Sequence, residues 1–491
     1  MEILISVIFF LVIIVFLRTC KFFVSKNLNS WVLPVAFALK CGVGMLFLQF
    51  YIFQHEDPHL KNDAGAFYRE AQILNTVYDE SPSDYLKLVS GIGATEALSE
   101  KYLGETNHWD SGKQAVFHDN RNIIRVHALI NFISIGSIVV HMLIFSFISL
   151  IGTFLLFLAL QKHSALKPWV IFSLLVLLPN LLFWSSGILK EPFIVFGIGA
   201  LAYGMVGEIS KKRKLLFILL GLIALLCFKP YIFIALLAAG LVYLIYFLSP
   251  KYKILSALGI PIVLGFIVLF SFPSVIEKGT HLLSRKQFDF SNVGRGGMHV
   301  RSEPDSCFYY FTLDQYSNLT IEGDSVWLKK EIDACKVTHG DLVPPTPIHL
   351  KPNKQAWRLH FDQPRANSFI EITPINDKPS QLLTSAPEAI FNAVIRPLPN
   401  DPGGKLKYLA FFETLILFGL IAWTIFQRRK VTSNERGFIL SAIVFCILLA
   451  LLIGWTTPVL GAIHRYRLPI QLAMICCIIV AWKPNIQFLK K

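Results

Sequence analysis

Three polar stretches of this chain hold residue types that can do chemistry, and each stands beside a long apolar run. The first is HEDPHLKNDAGAFYREA, residues 55–71. From Asp63 onward it reads as a helix, with Asp63, Ala66, Phe67 and Glu70 on one face. A carboxylate at the mouth of a membrane span can take the proton of a sugar hydroxyl as general base. It can also hold a divalent cation through oxygen. Asp63 and Asn62 equally suit a helix N-cap, and Glu56 and Asp57 are weaker candidates.

The second stretch is PNLLFWSSGILKEP, residues 179–192. Here a polar turn follows Trp184, and Lys190 and Glu191 open the next helix, with Pro192 in its first turn. Such a turn offers backbone N–H groups, two hydroxyls and a lysine near a helix N-terminus, which suits an anion. Glu191 is placed to orient Lys190. The alternative is a capped hairpin in which the two form a weak surface pair. The third stretch, GAIHRYRLP at 461–469, sets His464, Arg465 and Arg467 beside the last apolar run. Arginine forks hold phosphate oxygens in pairs; the alternative is snorkelling toward lipid headgroups.

Smaller features complete the inventory. Lys40 lies inside an apolar run, where an ionisable residue is a functional candidate or a snorkelling side chain. Lys229 and Tyr231 mark a hairpin turn. NVGRGGMHVR, residues 292–301, has no phosphate-loop signature and reads as a flexible loop. Arg396 precedes a span and suits the membrane interface, and Asn318-Leu319-Thr320 fits a glycosylation sequon, a pattern short enough to arise by chance. Of eight cysteines, only Cys307 and Cys335 fall in an outside loop, where an oxidising compartment would let them pair.

The elements that carry these residues are mostly apolar. The chain has 491 residues, 54% of them hydrophobic and 16% charged, where soluble domains carry about 25% charged. Its mean hydropathy is +0.55. Runs near 3–18, 31–53, 138–160, 168–184, 192–208, 214–228, 231–248, 254–272, 407–426, 438–454 and 468–482 each approach the length of about 20 residues that a bilayer demands. Segment 123–160 is too long for one span and divides into an interfacial helix, Ile123 to Ser137, and a span. With alternating spans, the basic residues that follow every odd-numbered span fall on one side, which the positive-inside rule makes the cytoplasm. The N-terminus is then outside and the C-terminus inside. Loops 54–125 and 273–406 lie outside. The net charge of +14 is explained by this topology, so nucleic acid is not an expected partner.

The expected fold is therefore an all-α polytopic integral membrane protein of about eleven transmembrane helices with a small β-rich extracytoplasmic insert. Helices one to eight occupy 1–272, the insert 273–406 and helices nine to eleven 407–491. Short alternating runs between Asp324 and Asp377 (SVWLKKEI, AWRLHF, SFIEITPI) supply the β character.

Taken together, DAGAFYREA, WSSGILKEP, AIFNAVIRPLP…FFETL and GAIHRYRLP resemble bacterial envelope-polysaccharide membrane proteins. These are the C-type, polyprenyl-dependent glycosyltransferases and the O-antigen-polymerase-like proteins. The resemblance covers most of the apolar chain and excludes 300–380. It implies a catalytic acid in an outside loop, matched by Asp63 with Tyr68, although here the loop follows the second span where the family has it after the first. It also implies cationic residues around a lipid diphosphate, matched by His464, Arg465 and Arg467. On this resemblance, Asp63 deprotonates the acceptor or holds a metal near it. Lys190, Arg465 and Arg467 neutralise the leaving phosphate, and Glu191 orients Lys190. The substrate is a polyprenyl-linked sugar, the partner is membrane lipid, and the place is the bacterial inner membrane. Two other classes compete. A transporter or flippase of lipid-linked glycans needs polar groups near the midplane, and Lys40 is nearly the only buried charge expected there. A non-catalytic assembly or receptor subunit would work through the 273–406 insert.

Overall fold

The structure, a computed structural model, describes residues 2–24, 27–53, 63–104, 106, 108–109, 118–302, 307–338, 345–353, 355–376 and 378–483. The candidates Glu56, Asp57 and Asn62 lie outside them. Among the described residues, six helices are long and apolar enough to cross a bilayer: Glu2–Thr19, Val32–Ile52, Ile138–His163, Pro230–Leu248, Leu406–Phe426 and Ser433–Thr456. Two bent pairs, Lys253–Val268 with Pro273–Arg295 and Leu460–Tyr466 with Leu468–Ala481, raise the number to as many as eight. Their exposed faces are apolar; Ile3, Leu11, Leu237, Ile416 and Ile443 all stand open. Helices of this length that show such side chains outward are stable only in hydrocarbon, and the chain is an integral membrane protein.

The segments expected as spans four to six read differently. Residues 168–184 form two short helices, Pro168–Val176 and Pro179–Trp184. Pro179 lacks an N–H and turns Leu178 out of helical geometry (ψ 118°), which breaks the run. The next apolar helix, Glu191–Val206, has only 16 residues. Helix Lys211–Phe228 opens on KKRK.

The chain divides into two compact units, one of Met1–Leu241, Gly419–Ala442 and Gln471–Lys491, the other of Val242–Phe418 and Ile443–Ile470. In the first unit, glycines let helix 191–206 approach its neighbours closely, a common device between membrane helices. A Cβ on Gly199 would fall 1.9 Å from the Gly152 carbonyl oxygen of helix 138–160, and one on Gly221 2.7 Å from the Gly197 carbonyl. Gly199→Val should therefore force helices 138–160 and 191–206 apart, at about 1–3 kcal/mol for overpacking alone. Size-exclusion profiles of detergent-solubilised protein should show lost monodispersity, and a profile like wild type would contradict this packing. Helix Asp119–Ser134 ends where Ile135 (φ 51°) and Gly136 (φ 71°) both enter the left-handed region. That conformation is costly for a β-branched residue, and the Tyr68 hydroxyl donates to the Gly136 carbonyl there.

In the second unit, seven antiparallel strands form one sheet: β1 (Gly297–Ser302), β2 (Cys307–Phe311), β3 (Leu319–Glu322), β4 (Ser325–Leu328), β5 (Ile332–Thr338), β6 (Thr346–Leu350) and β7 (Trp357–Gln363). Their spatial order is β3-β4-β7-β1-β2-β5-β6. One face buries Met298, Val300, Tyr309, Phe311, Val326 and Trp357. SVWLKKEI and AWRLHF lie within or across β4, β5 and β7, whereas SFIEITPI forms no strand. Two expectations need correction. The glycine-rich NVGRGGMHVR is no flexible loop: it ends helix Pro273–Arg295 and becomes β1, inside the sheet. Gly296 and Gly297 both have positive φ, and a Cβ on Gly296 would lie 2.5 Å from the Arg365 amide nitrogen, so the turn requires glycine. Cys307 and Cys335 do not pair. Cys307 stands opposite Thr338 and Cys335 opposite Tyr310, so strand alternation puts the thiols on opposite faces, and neither is in a disulfide.

Candidate functional site

Asp63 is the first residue of helix Asp63–Glu80, whose buried stripe includes Ala66, Phe67, Glu70 and Ala71. The spacing seen in sequence therefore sets one face of this helix against the unit. Glu70 is 5% exposed. Its Oε1 accepts from the His108 backbone N–H at 2.9 Å and lies 2.9 Å from His108 Nδ1. The other ring nitrogen, Nε2, is 3.8 Å from Asp63 Oδ1. One imidazole thus bridges two carboxylates. Burial opposes its charge, but the hydrogen bonds to Asp63 and Glu70 dominate and hold His108 up at about 9. At neutral pH it is a cation, and the Asp63 side chain beside it is 45% exposed. The arrangement leaves the Asp63 carboxylate open to solvent beside a cation.

A second pair lies near Phe67. The Phe67 ring is 5.1 Å from the His108 ring and 5.2 Å from the Lys190 ammonium. Lys190 is not on a surface turn. Residues 184–195 are buried throughout, because Gly44 and Gly187 admit the turn against neighbouring helices: a Cβ on Gly44 would meet the Ser186 carbonyl at 2.8 Å and one on Gly187 the Phe47 ring at 2.8 Å. Lys190 Nζ donates to Asp119 Oδ2 at 2.6 Å and to Asn120 Oδ1 at 2.5 Å. Asp119 and Asn120, not Glu191, orient it, and no weak surface pair forms. Burial works against the Asp119 carboxylate, yet the Lys190 and Lys229 ammoniums hold its carboxyl below the usual range. Glu191 is 1% exposed at the start of its helix.

Behind this layer stand Arg121 and Arg125, both buried. Arg121 Nε donates to the Trp109 carbonyl at 2.6 Å, and Arg125 donates to the Leu88 carbonyl and to Asn122 Oδ1. They tie Trp109 and helix Pro82–Ser90 to helix Asp119–Ser134.

His464, Arg465 and Arg467 belong to the second unit. His464 Nε2 is 3.2 Å from Glu413 Oε2. Arg467, 2% exposed, donates to the Arg396 carbonyl at 2.5 Å and to Thr414 Oγ1 at 2.8 Å. Arg396, expected at the membrane interface, is also 3.7 Å from Asp401. Arg465 is 9% exposed, its guanidinium 5.6 Å over the Tyr466 ring. This is a buried charged cluster that clamps the 396–401 segment to helix 406–426. It is neither a surface snorkel nor an open phosphate cradle.

Sequence reasoning named Asp63 and Lys190 but missed His108 and Asp119, and placed Lys229 only in a hairpin turn. Asp119 had a readable signal: HDNRN is a polar start to an amphipathic helix, with His118 as its cap. His108 had none, since its role depends on a loop folding back onto Glu70. Among the described residues no group of three or more His, Cys, Asp or Glu could hold a metal ion.

The fold defines an integral membrane protein, and its first unit carries these buried ionic groups with the half-exposed Asp63 beside them. Compared with known protein families, curated proteins and solved structures, the chain matches none.

The bridging imidazole gives a pH prediction. His108 is raised above its ordinary value, so its contribution is complete below about 6.5 and is lost as pH rises through about 9. Thermal unfolding of wild type should show the midpoint falling between pH 7 and pH 9.5, and His108→Gln should flatten that slope. Parallel curves would show that the bridge is not formed.

Proposed function

We propose that the chain is a membrane glycosyltransferase or polysaccharide polymerase that takes a polyprenyl-linked sugar at the extracytoplasmic face of a bacterial inner membrane. The observation that carries this reading is the layout around Phe67. A half-exposed carboxylate, Asp63, is held beside a cationic imidazole, His108, and the same Phe67 ring also neighbours Lys190, which is paired with Asp119. Asp63 acts as general base toward the acceptor hydroxyl. His108 holds Asp63 in place and balances its charge. Lys190 positions the turn and the Asp119 carboxylate; its ammonium is already matched by that carboxylate. The chemistry is drawn from the first unit alone. The topology that goes with it has about eleven spans, an outside N-terminus, a cytoplasmic C-terminus and the sheet outside.

A second reading is favoured by one observation. Glu413 is 4% exposed within the apolar helix Leu406–Phe426, beside His464, and Lys40 is 3% exposed within another, donating to Ser185 Oγ at 2.7 Å. Buried ionisable groups at membrane depth mark transport paths in many proteins. The envelope-glycan profile of a strain lacking the chain separates the two. Missing or shortened glycan, with the lipid-linked precursor accessible at the outer face, supports the enzyme. Precursor retained at the inner face supports a transporter.

A further inference from the structure

A cavity of about 600 Å³ lies among three membrane helices of the first unit. Its walls are helix Glu2–Thr19 down to Phe10, helix Val32–Leu48 and the start of helix Ile138–Leu160. From Glu2 to Phe10 is a little over two helical turns, about 12 Å. That is most of one half of a hydrocarbon core about 30 Å thick. Residue size makes the space: a Cβ placed on Gly42 would meet nothing within 4 Å. Met45 and Met142 also line it, and methionine adapts to irregular partners by changing rotamer. Ile3 and Met45 are 82% and 43% exposed, so the cavity opens onto the bilayer.

One end of the cavity is polar, lined by Glu2, Ser6 and Ser137. Ser6 Oγ donates to the Glu2 backbone carbonyl at 2.8 Å, which leaves Ser137 Oγ to donate across its 3.2 Å contact with Ser6 Oγ. Both hydroxyl protons are then used within the protein. Glu2 is exposed, and its carboxylate is an acceptor and an anion. It acts electrostatically on the Tyr68 hydroxyl, which donates to the Gly136 carbonyl beside Ser137. Helix Ile138–Leu160 starts at the same end with no side-chain cap, and the backbone N–H groups of a helix start favour an anion. The polar end therefore suits a headgroup that carries both signs.

We infer that this cavity seats one phospholipid with a primary-ammonium headgroup. An acyl chain fills the slot, the ammonium meets Glu2, and the phosphate lies at the start of helix Ile138–Leu160. A carboxylate at the entrance disfavours a lipid of net negative charge, because like charges repel. The same repulsion disfavours a polyprenyl phosphate, so this seat is separate from that of the sugar carrier. The lipid packs against Ser137 and Ile138, next to the Gly136 carbonyl that anchors Tyr68 of the Asp63 helix.

The test is native mass spectrometry of the full-length protein released from nanodiscs of equal parts phosphatidylethanolamine and phosphatidylglycerol. Wild type should retain one phosphatidylethanolamine over phosphatidylglycerol by about two- to fivefold, the range of an exposed ion pair. Glu2→Gln changes an exposed side chain, keeps the fold and should abolish the preference. Gly42→Trp should expel the lipid by filling the cavity. Gly240→Trp, at another position where a Cβ meets nothing within 4 Å, should retain it. Size-exclusion profiles establish that both tryptophan variants are folded. Equal retention of the two lipids by wild type, or an unchanged preference in Glu2→Gln, would overturn the proposal. So would lipid still bound to folded Gly42→Trp. Displacement of the phospholipid by an equal amount of polyprenyl phosphate would overturn it too, and would make the cavity the carrier's seat. The readout is bound lipid, which does not depend on the reading of Asp63.

Discussion

Asp63→Asn should leave the protein in the membrane at wild-type amounts and abolish glycan restoration in a strain lacking the chain. The substitution keeps the shape of the side chain and removes only its basicity. Asp63 is half-exposed and lies 3.8 Å from His108, and asparagine keeps a hydrogen-bonding group at that place. A positioned general base contributes typically about 10²–10⁴-fold, and product should fall by that range. Asp63→Glu, which keeps the charge and moves it by one methylene, should recover part of it. Membrane abundance by quantitative immunoblot and glycan profile by gel give both numbers. If Asp63→Asn restores the glycan in full, Asp63 is a helix-start residue and the proposed base lies elsewhere. Short chains in place of none would indicate a polymerase.

Breaking the Lys190–Asp119 pair should be the most damaging single change to stability. Lys190 is 4% exposed in its side chain and Asp119 35%. Asp119→Ala would leave the Lys190 ammonium buried with only Asn120 as acceptor, and stranding a buried charge in this way costs about 3–5 kcal/mol. Because Asp119 is a third open to solvent, the lower end of that range applies. The variant should accumulate poorly and aggregate on extraction. Lys190→Met removes the buried charge and should be milder in abundance. The double variant Lys190→Met with Asp119→Leu should recover abundance without recovering glycan. Detergent-extracted yield and melting temperature check the first part. Equal yields for all three would show that the pair is not buried as described.

Much of this protein could be read from its residues. A helix such as 2–19, with leucine, isoleucine and phenylalanine around its whole circumference, suits hydrocarbon and not water, so membrane residence follows from composition and run length. The helical spacing of Asp63, Phe67 and Glu70 likewise foretold a shared face, because that periodicity is local. What failed was each judgement about depth. Residues 184–191 looked like a surface turn since they are polar and short, yet Gly44 and Gly187 remove the side chains that would have kept the turn outside. β1 and β2 were not read as strands: one opens on glycine and the other, CFYYF, is apolar throughout with no alternation. Arg467 looked like a free cation because its partners, Arg396 and Thr414, lie 71 and 53 positions away.

By itself, then, the sequence determined the solvent this protein lives in and the face that Ala66, Phe67 and Glu70 share, because hydrophobic length and 3.6-residue spacing are properties of neighbouring residues. Tertiary structure alone decided which charges are matched. His108 between Asp63 and Glu70, and Lys190 on Asp119, are pairings of distant segments, and pairing is what sets the charge of a buried group.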